Sequence, residues 1–362
     1  MIIQTAEIKG LKLSGRVAAK PLAAAFAARA ALTVFLLISI LAQALSGHTA
    51  AVGGDGEAAE AAFTVDARDA MERTGDEELR GTISLSGAWA LYPMVVKWAE
   101  EFRKIHPGVR LDVQAGGAGK GIADALSGMV DIGMVSRDIH PEETARGAIA
   151  LAVTKDGVVP TASRRNPYLK DLLRMGIGRS AFEGIFVTGR MKTWNDVLRN
   201  GARKEVHVFT RSDACGAAET WAAFLGKKQE DLLGIAVYGD PGLADAVIRD
   251  PLAVGFNNIN FAYDAGTLKP VEGLVVIPVD LNGNGILDPG EKFYGSRDEI
   301  TAAIERGAYP SPPARELYFV TKGKPVRPVV RKFLAWVLKE GQGFVREAGY
   351  IPLSAEKLKV SF

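Results

Sequence analysis

Short segments with strand-like and helix-like spacing of apolar residues alternate from Gly81 onward. Residues 82–86 favour a strand, and residues 92–105 carry apolar side chains at helical spacing until a His-Pro-Gly sequence ends the pattern. The same reasoning predicts a strand at 109–113, a helix at about 121–129 and a buried strand at 132–135. Because parallel neighbouring strands need a crossover helix, this order predicts a parallel, doubly wound sheet.

The alternation resumes after residues 154–156 and predicts a second lobe. Strands are expected at 158–160, 206–210, 253–263, 274–279 and 317–321, and helices near 168–175, 179–188, 194–199, 217–225, 242–249, 298–306 and 328–348. We expect the chain to cross between lobes near Lys155 and again at 257–263. The predicted fold is therefore α/β and two-lobed, with mainly parallel sheets flanked by helices. Residues 81–154 and 261–362 form lobe 1, and residues 155–260 form lobe 2.

The sequence of residues 1–50 predicts a targeting segment. Five Lys or Arg residues precede or border residues 30–45, a run of sixteen residues without a charge. This arrangement is typical of a secretory signal, and the apolar run is shorter than the ~20 residues that span a bilayer comfortably. Cleavage and retention as an anchor both stay open. Residues 51–80, with nine Asp or Glu against three Arg, are expected to be an acidic, disordered linker.

Composition narrows the function classes. The chain has 48% hydrophobic and 24% charged residues, and its charge is close to balanced after residue 80, which argues against a nucleic-acid surface. Cys215 is the only cysteine, so no intramolecular disulfide forms, and the four histidines are scattered along the chain. Neither a nucleophile with its base nor a histidine pair for zinc is evident, so we expect a protein that is not an enzyme and requires no cofactor.

Three strand-to-helix junctions carry glycines that suit the binding of an anion. Helix N-termini beyond the carboxyl ends of strands present unpaired N–H groups, and glycine permits close backbone approach. The junctions are residues 87–90, the Gly-rich run 116–121 and residues 213–217. Arg211 or Lys120 would supply a cation. Simpler interpretations stay open: an ordinary Gly-rich turn, Arg211 in a structural ion pair, Cys215 as a small buried apolar residue and Trp89 as a core aromatic.

These segments together resemble the phosphate-binding proteins of ABC-type importers, which are type II periplasmic binding proteins. The likeness covers most of residues 81–350, through residues 84–109, the segment 115–137 with its Asp-Ile-Gly-Met sequence, and residues 211–225. The resemblance implies a type II two-lobed fold that closes on a small anion and delivers it to a membrane permease. It also implies a set of ligand-binding positions: Ala88, Trp89, Ala90, Ser136, Arg211, Cys215, Gly216 and Ala217.

Several of these positions depart from the family pattern. The usual Ser-Ser-Thr of the first loop is Ala88-Trp89-Ala90, and the Ser and Thr of the third loop are Cys215 and Ala217. A hydrogen bond to a charged group is worth roughly 1.5–3 kcal/mol, so the loss of several hydroxyl donors weakens phosphate binding. Phosphate is the first choice of ligand. Another oxyanion, a small organic anion that contacts Trp89, and a sensor or scaffold without a transport role are the alternatives.

A separate segment, residues 280–291, matches the twelve-residue calcium loop. Its expected oxygen ligands are Asp280, Asn282, Asn284, the Ile286 carbonyl, Asp288 and Glu291, with Gly285 at the sharp turn. The alternative is a polar Asn-Gly turn. The overall expectation is an exported, monomeric solute-binding protein outside the cytoplasmic membrane, with a structural Ca²⁺ that stabilises one loop.

Overall fold

The computed structural model describes residues 79–358. The predicted targeting segment 1–50, and all of the predicted linker 51–80 except its last two residues, lie outside this range. No helix within the described residues is long and apolar enough to cross a membrane.

Eleven strands form the sheets of the described chain. In chain order they are β1 Gly81–Gly87, β2 Val109–Ala115, β3 Ile132–Val135, β4 Ala148–Ser163, β5 Ile177–Gly178, β6 His207–Arg211, β7 Ile235–Val237, β8 Ala253–Asn258, β9 Leu274–Val276, β10 Val279–Asp280 and β11 Ala314–Lys322. Nine of them make one sheet whose main order is β2-β1-β3-β11-β4-β8-β6-β7, with β9 paired to β4. β5 and β10 form a separate parallel pair.

Eleven α-helices cover the described part of this framework. They are α1 Tyr92–Ile105, α2 Ala118–Ser127, α3 Pro141–Ala145, α4 Leu169–Met175, α5 Arg179–Phe186, α6 Trp194–Leu198, α7 Gly216–Phe224, α8 Gly239–Arg249, α9 Ile259–Ala262, α10 Arg297–Glu305 and α11 Pro328–Leu338. The predicted helices 298–306 and 179–188 match within two residues. The predicted helix 328–348 ends as an α-helix at Leu338, and a 3₁₀ segment, Glu340–Phe344, follows.

Two hydrophobic cores divide the structure into the expected lobes. One core gathers apolar residues between Ile83 and Val153 with others between Leu317 and Tyr350, and it is lobe 1. The other extends from Val158 to Ala314, with the addition of Ile351, and it is lobe 2. The two-lobed α/β fold is therefore confirmed in outline.

The return to lobe 1 comes later in the chain than the sequence predicts. Tyr263, Leu274 and Tyr309 are buried in the lobe 2 core, so residues 261–313 belong with lobe 2 and the boundary at 260/261 is corrected. The predicted strand 253–263 is also shorter, because the chain turns into α9 after Asn258. The second crossing is made by the start of β11, which pairs with β4 from Ala314 onward.

The long strand β4 joins the lobes. Its first part pairs antiparallel with β11, and its second part, from Val158, pairs antiparallel with β8. The predicted strand 158–160 is thus one segment of a strand of 16 residues. Pairing is parallel between β1 and its neighbours β2 and β3, and between β6 and its neighbours β7 and β8. The strand ends that carry the three predicted loops therefore face one crevice between the lobes.

Candidate functional site

The first predicted loop packs tightly and uses its polar backbone groups within lobe 1. It forms a 3₁₀ turn, Trp89–Leu91, directly before α1. The Ala88 N–H donates to the Met134 carbonyl at 2.8 Å, and the Ala90 carbonyl accepts from the Tyr350 hydroxyl at 2.6 Å. The Ala88 amide predicted to bind ligand is therefore already engaged.

Trp89 makes the contact of this loop with lobe 2. Its ring centroid lies 6.3 Å from those of Tyr238 and Phe261, and a Cβ added to Gly239 would lie 3.2 Å from the indole ring. The indole Nε1 is buried and has no hydrogen-bond partner. Trp89 is thus an interlobe aromatic contact that also carries a free donor.

The Gly-rich run brings lobe 1 against the third loop of lobe 2. The Gly119 N–H donates to the Ala214 carbonyl at 3.1 Å, and a Cβ on Gly117 or Gly119 would approach Ala214 to 2.9 Å. The partly exposed ammonium of Lys120 pairs with Asp124. The glycines therefore allow close approach of the lobes, and the role of Lys120 as a cation for the ligand stays a prediction.

Ser136 and Gly216 touch across the same junction. Ser136 follows β3 and is buried, and a Cβ added to Gly216 would lie 2.1 Å from the Ser136 carbonyl oxygen and 2.3 Å from its hydroxyl oxygen. Only glycine fits at position 216 in this closed arrangement. Two of the predicted ligand-binding residues, one from each lobe, are thus in direct contact.

Cys215 caps helix α7. Its Sγ accepts a hydrogen bond from the Ala218 N–H at 3.4 Å, and its own N–H donates to the Gln229 side chain at 3.2 Å. Helix geometry leaves the N–H groups of Gly216 and Ala217 without partners inside the helix. Burial raises the pKa of Cys215 to about 12. The thiol therefore stays protonated at neutral pH and is a cap, not a nucleophile.

Arg211, at the end of β6, lies in a buried ion cluster. Its Nε and Nη2 donate to the two carboxylate oxygens of Asp213 at 2.8 and 2.6 Å, and its Nη1 donates to Asp240 at 2.5 Å. Burial acts to lower the pKa of Arg211, but the neighbouring acidic groups, Asp240 and Asp213, together outweigh it and the pKa is raised. Every guanidinium nitrogen of this predicted ligand residue already has a carboxylate partner.

A second buried guanidinium lies nearby and escaped sequence reasoning. Arg315 on β11 is the register partner of Asp156 on β4, and their closest nitrogen–oxygen distance is 3.9 Å. Nε and Nη1 of Arg315 and both carboxylate oxygens of Asp156 have no hydrogen-bond partner. Burial raises the pKa of Asp156 to about 7, against the opposing attraction of Arg315. The available signal was a charged residue within each strand, Asp156 in the middle of β4 and Arg315 at the start of β11.

Arg137 forms an ion pair between the lobes, which the sequence analysis also missed. Its guanidinium donates to Glu143 of lobe 1 at 2.6 and 2.8 Å and lies 3.1 Å from Glu219 on α7 of lobe 2. Arg137 and Glu219 line an interlobe cavity of about 680 Å³ that also contacts Cys215. Its position directly after Ser136 was the only hint in the sequence.

The predicted calcium loop lies apart from this junction. The Asp280 carboxylate accepts from the Gly283 and Gly285 N–H groups, both at 2.8 Å, and Glu291 accepts from the Leu281 N–H at 2.9 Å. The Asp280 and Glu291 carboxylates therefore accept hydrogen bonds from backbone N–H groups of their own loop. Within residues 79–358, no group of three or more His, Cys, Asp or Glu side chains is gathered to hold a metal ion.

The predicted binding residues thus fall into two groups. Ser136, Gly216, Ala217 and the Cys215 cap lie at the interlobe junction where α7 presents its N-terminus, and Trp89 makes a further contact between the lobes. The Ala88 N–H and the Ala90 carbonyl are engaged within lobe 1, and Arg211 is neutralised by carboxylates. A junction of this kind suits the enclosure of a small polar ligand by both lobes.

Comparison with known proteins agrees with this architecture. The sequence profile of the PBP superfamily domain matches residues 72–340. The phosphate-binding protein PstS of Bacillus subtilis is 25% identical over 326 residues, covering 89% of this chain and 95% of the relative. PstS of Pseudomonas aeruginosa is 28% identical over 305 residues, covering 76% of this chain and 84% of the relative.

Two solved structures share the fold. A putative phosphate ABC transporter substrate-binding protein from Clostridium perfringens, solved with bound phosphate, superposes with a TM-score of 0.62 at 21% identity. The superposition covers 76% of this chain and 100% of the chain from Clostridium perfringens. An ABC-type phosphate transport receptor from Vibrio cholerae gives a TM-score of 0.54 at 19% identity, with 75% and 100% coverage.

The buried ion cluster predicts the effect of removing its cation. Arg211→Ala leaves Asp213 and Asp240 as buried carboxylates without a cationic partner, and we expect the free energy of unfolding to fall by about 3–5 kcal/mol. Urea denaturation measures this change. Arg249→Ala removes an exposed arginine from its pair with Asp245 and should cost less than about 1 kcal/mol. Equal losses in the two variants would contradict the assignment.

The raised pKa of Asp156 predicts how stability depends on pH. Between its ordinary value of 3.8 and its native value of about 7, the folded protein holds a proton that the unfolded chain has lost. Stability from this group therefore falls as pH rises through this window. In Asp156→Asn this dependence is absent. From pH 5 to pH 8, the free energy of unfolding of the variant should therefore rise by roughly 2–3 kcal/mol relative to that of the wild type.

Urea denaturation at both pH values measures that difference. The control is Asp245→Asn, which removes a carboxylate whose side chain is 55% exposed. The difference in free energy of unfolding between this variant and the wild type should be the same at pH 5 and pH 8. A pH-independent offset for Asp156→Asn as well would show that Asp156 titrates normally.

Proposed function

Because this chain belongs to the PBP superfamily, we propose that it is an extracytoplasmic solute-binding protein of an ABC importer. It captures phosphate or a related small oxyanion between its two lobes and delivers it to a membrane permease. The named relatives support this, since they are phosphate-binding proteins matched over most of their length. A monomer located outside the cytoplasmic membrane is part of the same proposal.

One observation carries the proposal: loops from both lobes meet at one junction that holds buried donors. Gly119 and Ser136 of lobe 1 touch Ala214 and Gly216 of lobe 2. The N-terminus of α7 opens there, and such ends favour negative charge. An oxyanion held between the loops would accept hydrogen bonds from groups that water reaches poorly, which strengthens each of them.

Closure of the lobes follows from the way they are joined. Two strands, β4 and β11, pass between the lobes and pair with each other at Asp156. The pairing of β4 with β8 of lobe 2 begins directly after this point, where Val158 lies opposite Asn258. Small backbone rotations at this point change the width of the crevice while each lobe keeps its own core. A ligand that contacts both lobes stabilises the closed arrangement by its differential affinity for it.

The alternative ligand classes rest on the missing hydroxyl groups. Ser136 is the one hydroxyl among the eight predicted ligand-binding residues, and the Cys215 sulfur is already used by the Ala218 N–H. The Trp89 indole occupies the position of a small hydroxyl residue and adds an apolar face. These features favour a different oxyanion or a small organic anion as the second candidate, with a ligandless sensor or scaffold as the third.

Trp89 offers a direct test of ligand-driven closure. It contacts Tyr238 and Gly239 across the crevice, so binding should change its fluorescence. We expect phosphate to release heat in calorimetry and to change tryptophan emission in the wild type. Trp89→Phe should lose the emission change, whereas Trp336→Phe, in the lobe 1 core, should keep it.

The same titrations separate the candidates. Sulfate, molybdate, phosphonates and small carboxylates are compared with phosphate. A response to one of these and not to phosphate would support the second candidate. No heat and no emission change with any of these anions would exclude capture of a small anion and leave the sensor or scaffold.

We also propose that residues 280–291 bind Ca²⁺. Oxygen-bearing side chains stand at positions 1, 3, 5, 9 and 12 of the loop, with glycine at position 6, which is the ligand spacing that a hard cation uses. Asp280 and Glu291 already curl the loop through its backbone amides. Ion binding would replace these hydrogen bonds by cation–oxygen contacts and stabilise the loop away from the crevice.

Thermal unfolding with EDTA and with added calcium tests this site. A ligand present at 100 times its Kd stabilises the native state by about 2.7 kcal/mol, so calcium should raise Tm by several degrees. Glu291→Gln should abolish the increase, and Glu272→Gln, an exposed acid outside the loop, should retain it. An unchanged Tm in millimolar calcium would refute the proposal.

A further inference from the structure

Two buried charged residues lie on the strands that connect the lobes, outside all three predicted loops. Asp156 on β4 and Arg315 on β11 stand opposite each other in register. The Asp156 side chain is 1% exposed and that of Arg315 is 8% exposed. Neither position belongs to a helix N-terminus or a glycine turn, so this pair is independent of the features used above.

The pair is incompletely satisfied. Nη2 of Arg315 donates to the Asn258 side-chain oxygen, but Nε and Nη1 have no partner, and both oxygens of Asp156 lack one. Buried polar groups are almost always hydrogen-bonded, and a charged group with free donors in the interior needs an explanation. A ligand of opposite charge would satisfy the free nitrogens.

Arg315 is close to the candidate site. Asn258, its hydrogen-bond partner, donates its N–H to Asp240 at 3.1 Å, and Asp240 is the carboxylate that pairs with Arg211. Burial lowers the pKa of Arg315, and the negative charges of Asp156 and Asp240 act against this. Arg315 is therefore linked through Asn258 and Asp240 to Arg211, which lies at the start of the third loop.

The guanidinium groups of Arg211 and Arg315 differ in how far nearby carboxylates compensate their positive charge. Arg211 faces two carboxylates, Asp213 and Asp240, at hydrogen-bond distance. In the part of the chain that the structure describes, the carboxylate nearest to Arg315 is Asp156, at 3.9 Å. The raised pKa of that carboxyl lets it become neutral near pH 7. The positive charge of Arg315 is therefore the less compensated of the two.

We propose that Arg315 is the residue that binds the charge of the anion, through its free Nε and Nη1, and that Arg211 is a positioning residue that holds the third loop. A guanidinium suits this role because it donates several hydrogen bonds to an oxyanion from one rigid plane. The proposal rests on the proposed function in that it presumes an anionic ligand, but it does not require phosphate.

Calorimetry and thermal shift with the full chain test the assignment. The probes are inorganic phosphate, sulfate, molybdate, methylphosphonate and acetate. Arg315→Gln should lower the affinity for whichever anion binds the wild type by about 100-fold or more, because charge-assisted hydrogen bonds are lost. Arg315→Lys keeps the charge but not the planar donors, and should lose at least about 10-fold. Arg346→Gln, at an exposed pair with Glu305, should bind as the wild type does.

A folding defect is separated from a binding defect by a second variant. Arg315→Gln combined with Asp156→Asn removes both charges and leaves neutral side chains of similar size. Circular dichroism and urea denaturation establish that it is folded, and the loss of anion affinity should persist in it. Wild-type affinity in the folded double variant, or in Arg315→Gln itself, would overturn the proposal.

The outcomes also distinguish this proposal from the proposed function. Phosphate binding that is unchanged in Arg315→Gln would uphold the function and refute the role of Arg315. Binding of another anion and not phosphate, lost in Arg315→Gln, would refute phosphate capture and uphold Arg315. An absence of binding by all five probes in the wild type would refute both.

Discussion

The ion cluster of Arg211 with Asp213 and Asp240 is the interaction on which the crevice depends. It ties the end of β6 to the loop before α7 and to the first turn of α8, with donor–acceptor distances of 2.5 to 2.8 Å. Asp240 also accepts from the Asn258 N–H and so reaches the connecting strands. The cluster orients the N-terminus of α7, and it does so by using the charge that a ligand would otherwise meet.

Helices and strands whose apolar residues recur at a regular spacing were predictable, because that spacing reflects which side of the element is buried. Helix α1 and strand β3 were predicted with the bounds that the structure has. The first part of β4 was not predicted, since Lys155 and Asp156 interrupt its apolar run. A charge inside a strand is stable only when a distant segment pairs with it, and Arg315 of β11 supplies that pairing. This information is absent from the local sequence.

The candidate site likewise has features that the local sequence predicts and features that depend on tertiary contacts. Glycine turns and helix starts are local signals, and the resemblance to a known family added their order. Ser136 and Gly216 could therefore be predicted to lie close together, and they are in contact across the lobes. The partners of charged side chains are set by tertiary contacts. Neither the neutralisation of Arg211 by Asp240 nor the pairing of Lys120 with Asp124 follows from residue type and spacing.

The loss of hydroxyl donors in the loops has to be considered together with the contacts between the lobes. The Gly119–Ala214 hydrogen bond, the packing of Trp89 on Gly239 and the Arg137–Glu219 pair need no ligand to form. Contacts of this kind favour the closed arrangement. The apparent affinity of a ligand rises in proportion to the population of the conformation that binds it. Fewer hydrogen bonds to the ligand are therefore compatible with capture in this protein, because part of the closure free energy comes from the lobes themselves.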